Sequence, residues 1–132
     1  MSRNKTKKRQ EELLNRQSRL KEEPFDFERI SLFFQNDDHK NARQVIDERV
    51  LNDLDFEELF MSLDRTVSVV GQQYLYATLR VLPESGEKAL SFEPYIAIIK
   101  DHKIKKKAIT VLSGLKDHGG YTILAQRYLT EY

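Results

Sequence analysis

Apolar residues along this chain recur mostly three or four positions apart, the spacing that lines one side of an α-helix. Phe27, Ile30, Phe33 and Phe34 predict a short helix over residues 26–34. Residues 35–41 are polar and turn-like, and Val45 and Ile46 open a short connecting segment, extended in character, that runs to Leu51. Asp55 stands three residues before Glu58, which predicts a capping box opening a helix with Phe56, Leu59, Phe60 and Leu63 on its apolar face. The β-branched and hydroxyl residues at 66–70 end that helix. Ser68 then caps a second helix, whose buried side is expected at Val70, Tyr74, Leu75, Leu79 and Leu82, with Pro83 and Gly86 closing it.

The last third continues the pattern. Phe92, Tyr95, Ile96 and Ile99 form one face, with Pro94 tolerated in the first turn. Asp101 caps the next helix, with Ile104, Ala108, Val111, Leu112 and Leu115 as its apolar side. Gly119 and Gly120 break the chain, and Tyr121, Leu124, Ala125, Tyr128, Leu129 and Tyr132 repeat with helical period to the last residue. That final pattern ends without a C-cap, which is expected of a piece of a longer protein. No alternating run is long enough to compel a strand. The fold class is all-α, an irregular multi-helix bundle of about six helices.

Composition adds an uneven charge layout. Residues 1–23 hold 8 basic and 4 acidic side chains, residues 24–87 hold 6 and 13, and residues 88–132 hold 8 and 4. The first block carries only Leu13, Leu14 and Leu20 as large apolar residues, so it is expected to be a disordered or fraying basic tail ended by Pro24, with residues 24–132 as the helical domain. The chain has no cysteine, which excludes disulfides and thiolate chemistry. No apolar run approaches the ~18 residues that span a bilayer, and no apolar region follows the basic start, so a cytoplasmic protein without a membrane partner is expected.

A search for catalytic chemistry yields structural roles. None of the 5 glycines falls in a phosphate-binding Gly-x-x-x-x-Gly-Lys-Ser/Thr pattern. His39, His102 and His118 are widely separated and predict no metal site. Asp53, Asp55, Glu57 and Glu58 read as helix-start residues rather than as an acid–base pair. Tyr74, Tyr121, Tyr128 and Tyr132 read as core by their spacing. Two basic clusters could contact a nucleic acid: Arg3, Lys5, Lys7, Lys8 and Arg9 in the tail, and Lys103, Lys105, Lys106 and Lys107 at a helix start. There cations oppose the helix dipole, and a solvated face is the simpler explanation. The chain itself is not expected to be an enzyme, or to hold a cofactor or metal.

Residues 63–79 stand out. A helix ends in Asp64-Arg65-Thr66, hydroxyls flank Val67, and Gly71 sits in the first turn of the next helix. Glycine inside a helix costs about 1 kcal/mol relative to alanine. Close approach of another backbone would account for it, making this a rigid corner that something packs against. The segment resembles the start of the core, or lever, domain of the MutS DNA mismatch-repair ATPases. That family carries Leu-Asp-x-Thr-x-Thr/Ser-x-x-Gly-x-Arg/Gln-x-Leu-x-x-x-Leu, met here by Leu63, Asp64, Thr66, Ser68, Gly71, Gln73, Leu75 and Leu79. The resemblance covers about residues 45–82, with Thr78 where family members commonly have Trp. It implies a non-catalytic core segment that couples DNA-binding levers to an ATPase domain outside this chain, with Arg65, Thr66, Ser68 and Gly71 shaping the corner. It also implies ATP and Mg in the parent protein, duplex DNA and the remaining parent domains as partners, and a homodimeric parent. The alternative is a stand-alone basic helical module that binds nucleic acid or another protein.

Overall fold

The computed structural model describes residues 19–84 and 93–114, together with Lys7, Lys8, Glu11, Glu12 and Asn15, which lie in helical turns. Among the described residues the chain is mainly helical. It forms α1 (Phe27–Asn36), β1 (Ala42–Val45), α2 (Glu48–Asp53), α3 (Phe56–Leu63), α4 (Val69–Arg80), β2 (Val81–Pro83), α5 (Glu93–Ile99) and α6 (His102–Gly114). The architecture is an irregular helical bundle with one small antiparallel ribbon.

Local chemistry sets several boundaries. Asp26 accepts the Arg29 N–H at 3.1 Å and so starts α1. Ser68 accepts the Gly71 N–H at 3.1 Å and starts α4. Asp101 accepts the N–H groups of Lys103 and Ile104 at 2.7 and 3.3 Å at the head of α6. These three starts follow the sequence pattern.

Elsewhere the structure departs from it. The segment expected to be extended through Leu51 contains α2, capped by Asp47, which accepts the Val50 N–H at 3.0 Å. Asp55 makes no capping-box bond: it adopts the left-handed conformation, φ 47° and ψ 51°, with its side chain off the helix start. Only Leu54 and Asp55 separate α2 from α3, so Asp55 is also the residue that ends α2. A left-handed residue is the common way to close a helix, and Asp tolerates it better than most. That backbone demand overrides the cap.

Two strands also form. β1 and β2 pair antiparallel, with Val45 opposite Val81, Gln44 opposite Leu82 and Ala42 opposite Pro83, and an irregularity between Ala42 and Gln44. They are too short to carry an alternating pattern. Their register is held by the end of α4, where the Arg80 carbonyl accepts the Ile46 N–H at 2.9 Å.

The core gathers Ile30 and Phe34 of α1, Leu51 of α2, Phe56 and Phe60 of α3, and Tyr76 and Ala77 of α4. Phe60 is 0% exposed. Its ring lies 5.7–6.3 Å from those of Phe25, Phe27, Phe56 and Tyr76, and the contacts with Phe25, Phe27 and Tyr76 are edge-to-face. The fully buried residues of α4 are Gln73, Tyr76, Ala77 and Arg80; of the expected face, Leu75 and Leu79 pack partly buried against the core, whereas Tyr74 and Leu82 are exposed. On α3, Leu59 and Leu63 are likewise exposed. On α6 the buried residue is Ile109, whereas Ile104, Val111 and Leu112 are exposed. The final pattern at residues 121–132 lies outside the described residues.

Phe60→Ala should lower unfolding stability by about 3–5 kcal/mol, the usual cost of emptying a buried phenylalanine site. Leu59→Ala, one residue away and exposed, should stay within about 0.5 kcal/mol. Urea midpoints of the two variants test this side-by-side difference.

Candidate functional site

The corner between α3 and α4 is organised by one carboxylate. Asp64 ends α3, its N–H donating to the Phe60 carbonyl at 2.9 Å. Its side chain is 0% exposed. An anion at this position meets the negative end of the helix dipole and has lost its water, and both effects are unfavourable. Four donors offset them. Oδ2 accepts from Lys21 Nζ and from Gln72 Nε2, each at 2.7 Å. Oδ1 accepts from the Thr66 backbone N–H at 2.8 Å and from Thr66 Oγ1 at 2.7 Å. The Lys21 ammonium also donates to Thr66 Oγ1 at 3.1 Å, closing a ring of three side chains. Four acceptor positions are thereby filled, two per oxygen. Burial pushes the Asp64 pKa up, but the bonds from Lys21, Thr66 and Gln72 together outweigh it, and the carboxyl lies below its ordinary value.

The donors come from three parts of the chain. Thr66 folds back over two residues, Gln72 returns from the first turn of α4, and Lys21 reaches in from residues 19–26, which form a strap leading into α1. Sequence reading grouped Lys21 with the basic tail, and no local pattern marks it, because its partner lies 43 residues away. Gln72 is silent for a similar reason: in a helix whose face is judged by hydropathy, an amide carries no signal.

Gly71 has a nearer explanation than a neighbouring backbone. A Cβ built there would lie 3.2 Å from Ser68 Oγ and 3.3 Å from Thr66 Cβ. Ser68 is held by its cap and Thr66 by Asp64, so neither can easily yield. The glycine therefore belongs to the same corner as the carboxylate.

The remaining motif residues divide. Gln73 is buried and donates to the Arg29 carbonyl at 2.7 Å, tying α4 to α1. Leu75 and Leu79 pack partly buried against the core. Arg65 caps the end of α3, donating to the carbonyls of Ser62 and Asp64 at 2.9 and 3.1 Å. Leu63 is exposed and outside the corner. A cleft of about 560 Å³ lies between the strap and the corner, with Arg19, Phe25, Arg29, Arg65 and Ser68 among its walls. It mixes cations with Glu22, Glu23 and Asp26 and presents no single charge to a ligand.

The basic candidates are spread out. Lys103 and Lys107 are exposed on α6, Lys105 and Lys106 half-buried, and Lys7 and Lys8 exposed; Arg3, Lys5 and Arg9 lie outside the described residues. The capping of α6 by Asp101 offsets part of the dipole cost of the lysines there. Among the described residues no group of three or more His, Asp or Glu could hold a metal ion, and no helix is long and apolar enough to cross a membrane. Comparison with family models, curated proteins and solved structures finds no match for this chain.

Asp64→Asn should cost on the order of 3 kcal/mol, because it leaves Lys21 without its counter-charge in a largely buried place. The folded pKa of Asp64 lies below the unfolded value of about 3.9. Its ionised form therefore stabilises the fold fully above that value, and the contribution is lost as pH falls through the folded pKa. Chemical denaturation between pH 7 and 2 should show a steeper acid loss in the wild type than in Asp64→Asn. Gly71→Ala should destabilise the chain rather than yield the ~1 kcal/mol that alanine brings to an open helix, and thermal unfolding will give the sign.

Proposed function

We propose that this chain is a non-catalytic helical coupling element, the N-terminal part of the core domain of a MutS-like DNA-binding ATPase. The observation that carries this is the dependence of the motif residues on one another. The Asp64 carboxylate takes two bonds from Thr66, a Cβ at position 71 would crowd Thr66 and Ser68, and Gln73 joins the same helix to α1. Apart from the exposed Leu63, the residues from Asp64 to Gln73 that carry the resemblance fold as one unit, which supports this reading.

The unit suits transmission. α4 is fastened at its first turn to Asp64 through Gln72, and at its last residue through Arg80. Arg80 lies 4.0 Å over the Phe34 ring and donates to the Tyr76 hydroxyl and the Ile46 carbonyl, each at 3.1 Å, and to Glu48 Oε1 at 2.8 Å. A helix held at both ends moves with its neighbours as one body, as a lever between a DNA-gripping part and an ATPase part must. In this role ATP and Mg bind the parent's ATPase domain, and the chain's partners are the other domains of the parent.

Adding Mg-ATP or a short DNA duplex to the isotopically labelled chain should move few NMR signals. Saturable ATP binding would overturn the proposal. DNA affinity that falls by several units on a log–log salt plot, and is lost when Lys103, Lys105, Lys106 and Lys107 are neutralised, would favour the alternative of a free-standing nucleic-acid-binding module.

A further inference from the structure

Among the described residues, two surfaces carry exposed apolar side chains, and their charges are opposite. The first is on α2 and α3. Val50 and Leu54, one helical turn apart, are exposed, as are Leu59 and Leu63 on α3. Exposed carboxylates flank them: Asp53 and Asp55 beside Leu54, Glu57 and Glu58 beside Leu59. Arg49 is the sole basic residue between Asp47 and Asp64.

The second surface is the α5–α6 hairpin. Every residue of α5 is exposed, Tyr95, Ile96 and Ile99 included, and Ile104 and Leu112 are exposed on α6. Here the apolar residues are flanked by lysines. Residues 93–114 hold 5 lysines against 2 carboxylates, with Lys100, Lys103 and Lys107 next to Ile99, Ile104 and Ala108.

Among the described residues, the extensive packing of the hairpin is between its own two helices, with no comparable contact to α2 or α3. Exposed apolar patches with a charged rim mark association sites. We infer that the basic α5–α6 hairpin of one chain docks on the acidic α2–α3 face of a second copy. An anionic membrane would suit the hairpin alone and leave the α2–α3 leucines in water, whereas one kind of contact, repeated from copy to copy, covers both surfaces. The interface is heterologous, joining two different patches. It buries leucine against isoleucine at its centre, with the carboxylate and lysine rims facing each other and steering the encounter.

The test uses the whole chain and two surface variants. Leu59→Lys with Glu58→Lys spoils the acidic face, and Ile99→Glu with Lys103→Glu spoils the hairpin. All four positions are exposed, so both variants should keep the wild-type circular dichroism spectrum. In sedimentation velocity the wild type should associate as concentration rises, and 0.5 M salt should weaken this several-fold, because salt screens the rims. Each variant alone should associate at least about tenfold more weakly, a loss of roughly 1.4 kcal/mol. Their equimolar mixture should regain dimer mass, since the intact hairpin of the first meets the intact face of the second. A wild type that stays monomeric up to about 1 mM overturns the inference. So does a mixture that stays monomeric although the wild type associates, and so does a monomer that instead co-sediments with phosphatidylserine vesicles through the hairpin. The outcome is independent of ATP and DNA binding, so it stands or falls apart from the proposed function.

Discussion

The structure depends on keeping a negative charge dry. Removing a carboxylate from water costs several kcal/mol even in a relaxed protein site, and Asp64 is wholly buried at the unfavourable end of a helix. The fold tolerates this because donors converge on it from the strap, the turn and the first turn of α4. Each of those segments is therefore placed by the same requirement. Moving the strap unpairs the charge, moving α4 removes an amide, and changing the turn removes two bonds at once. Apolar packing in the core is less demanding, since it tolerates swaps that conserve volume. The carboxylate accepts few.

The other end of α4 repeats the device with the sign reversed. Arg80 is buried at the C-terminal end of the helix, where a cation meets the favourable end of the dipole. Its guanidinium rests on the Phe34 ring while its donors reach Ile46, just after β1, and Glu48 of α2. The Glu48 partner is 75% exposed, so that ion pair contributes little by itself; the carbonyl bond and the aromatic contact anchor the group. Two charged side chains thus fix both ends of one helix. Between them Gln73 ties it to α1, and Tyr76 packs it against Phe34, Phe56 and Phe60.

This explains which parts of the fold were legible in the sequence. Asp26, Ser68 and Asp101 act on N–H groups within three residues, so their helix starts could be read directly. The aromatic spacing of α1 survived as well, because an apolar face was in fact the buried one. Where a polar residue is buried through a distant partner, the pattern misleads. Hydropathy assigns Tyr74 and Leu82 to the core and Gln73 and Arg80 to solvent, and the reverse holds because Arg29, Ile46 and Glu48 supply partners far along the chain. Asp55 misled for another reason. Two helices separated by two residues place competing demands on it, and local spacing shows only one. In the corner, the importance of Asp64, Thr66, Ser68 and Gly71 could be seen from their spacing, but Lys21 and Gln72 could not.

The same inversion bears on what the molecule is for. Consistency between hydropathy and burial is the ordinary condition of a self-sufficient fold, and departures from it concentrate where function intervenes. Here Asp64, Gln73 and Arg80 occupy buried positions, while Leu59, Leu63, Ile96, Ile99 and Ile104 face water. The buried side chains are hydrogen-bonded, apart from Arg80 Nε, and account for rigidity. Among the described residues the exposed apolar groups are left in water, and the charges near them in sequence differ in sign between the two surfaces. A rigid body whose unused apolar surface is sorted by charge is built to be held by other surfaces.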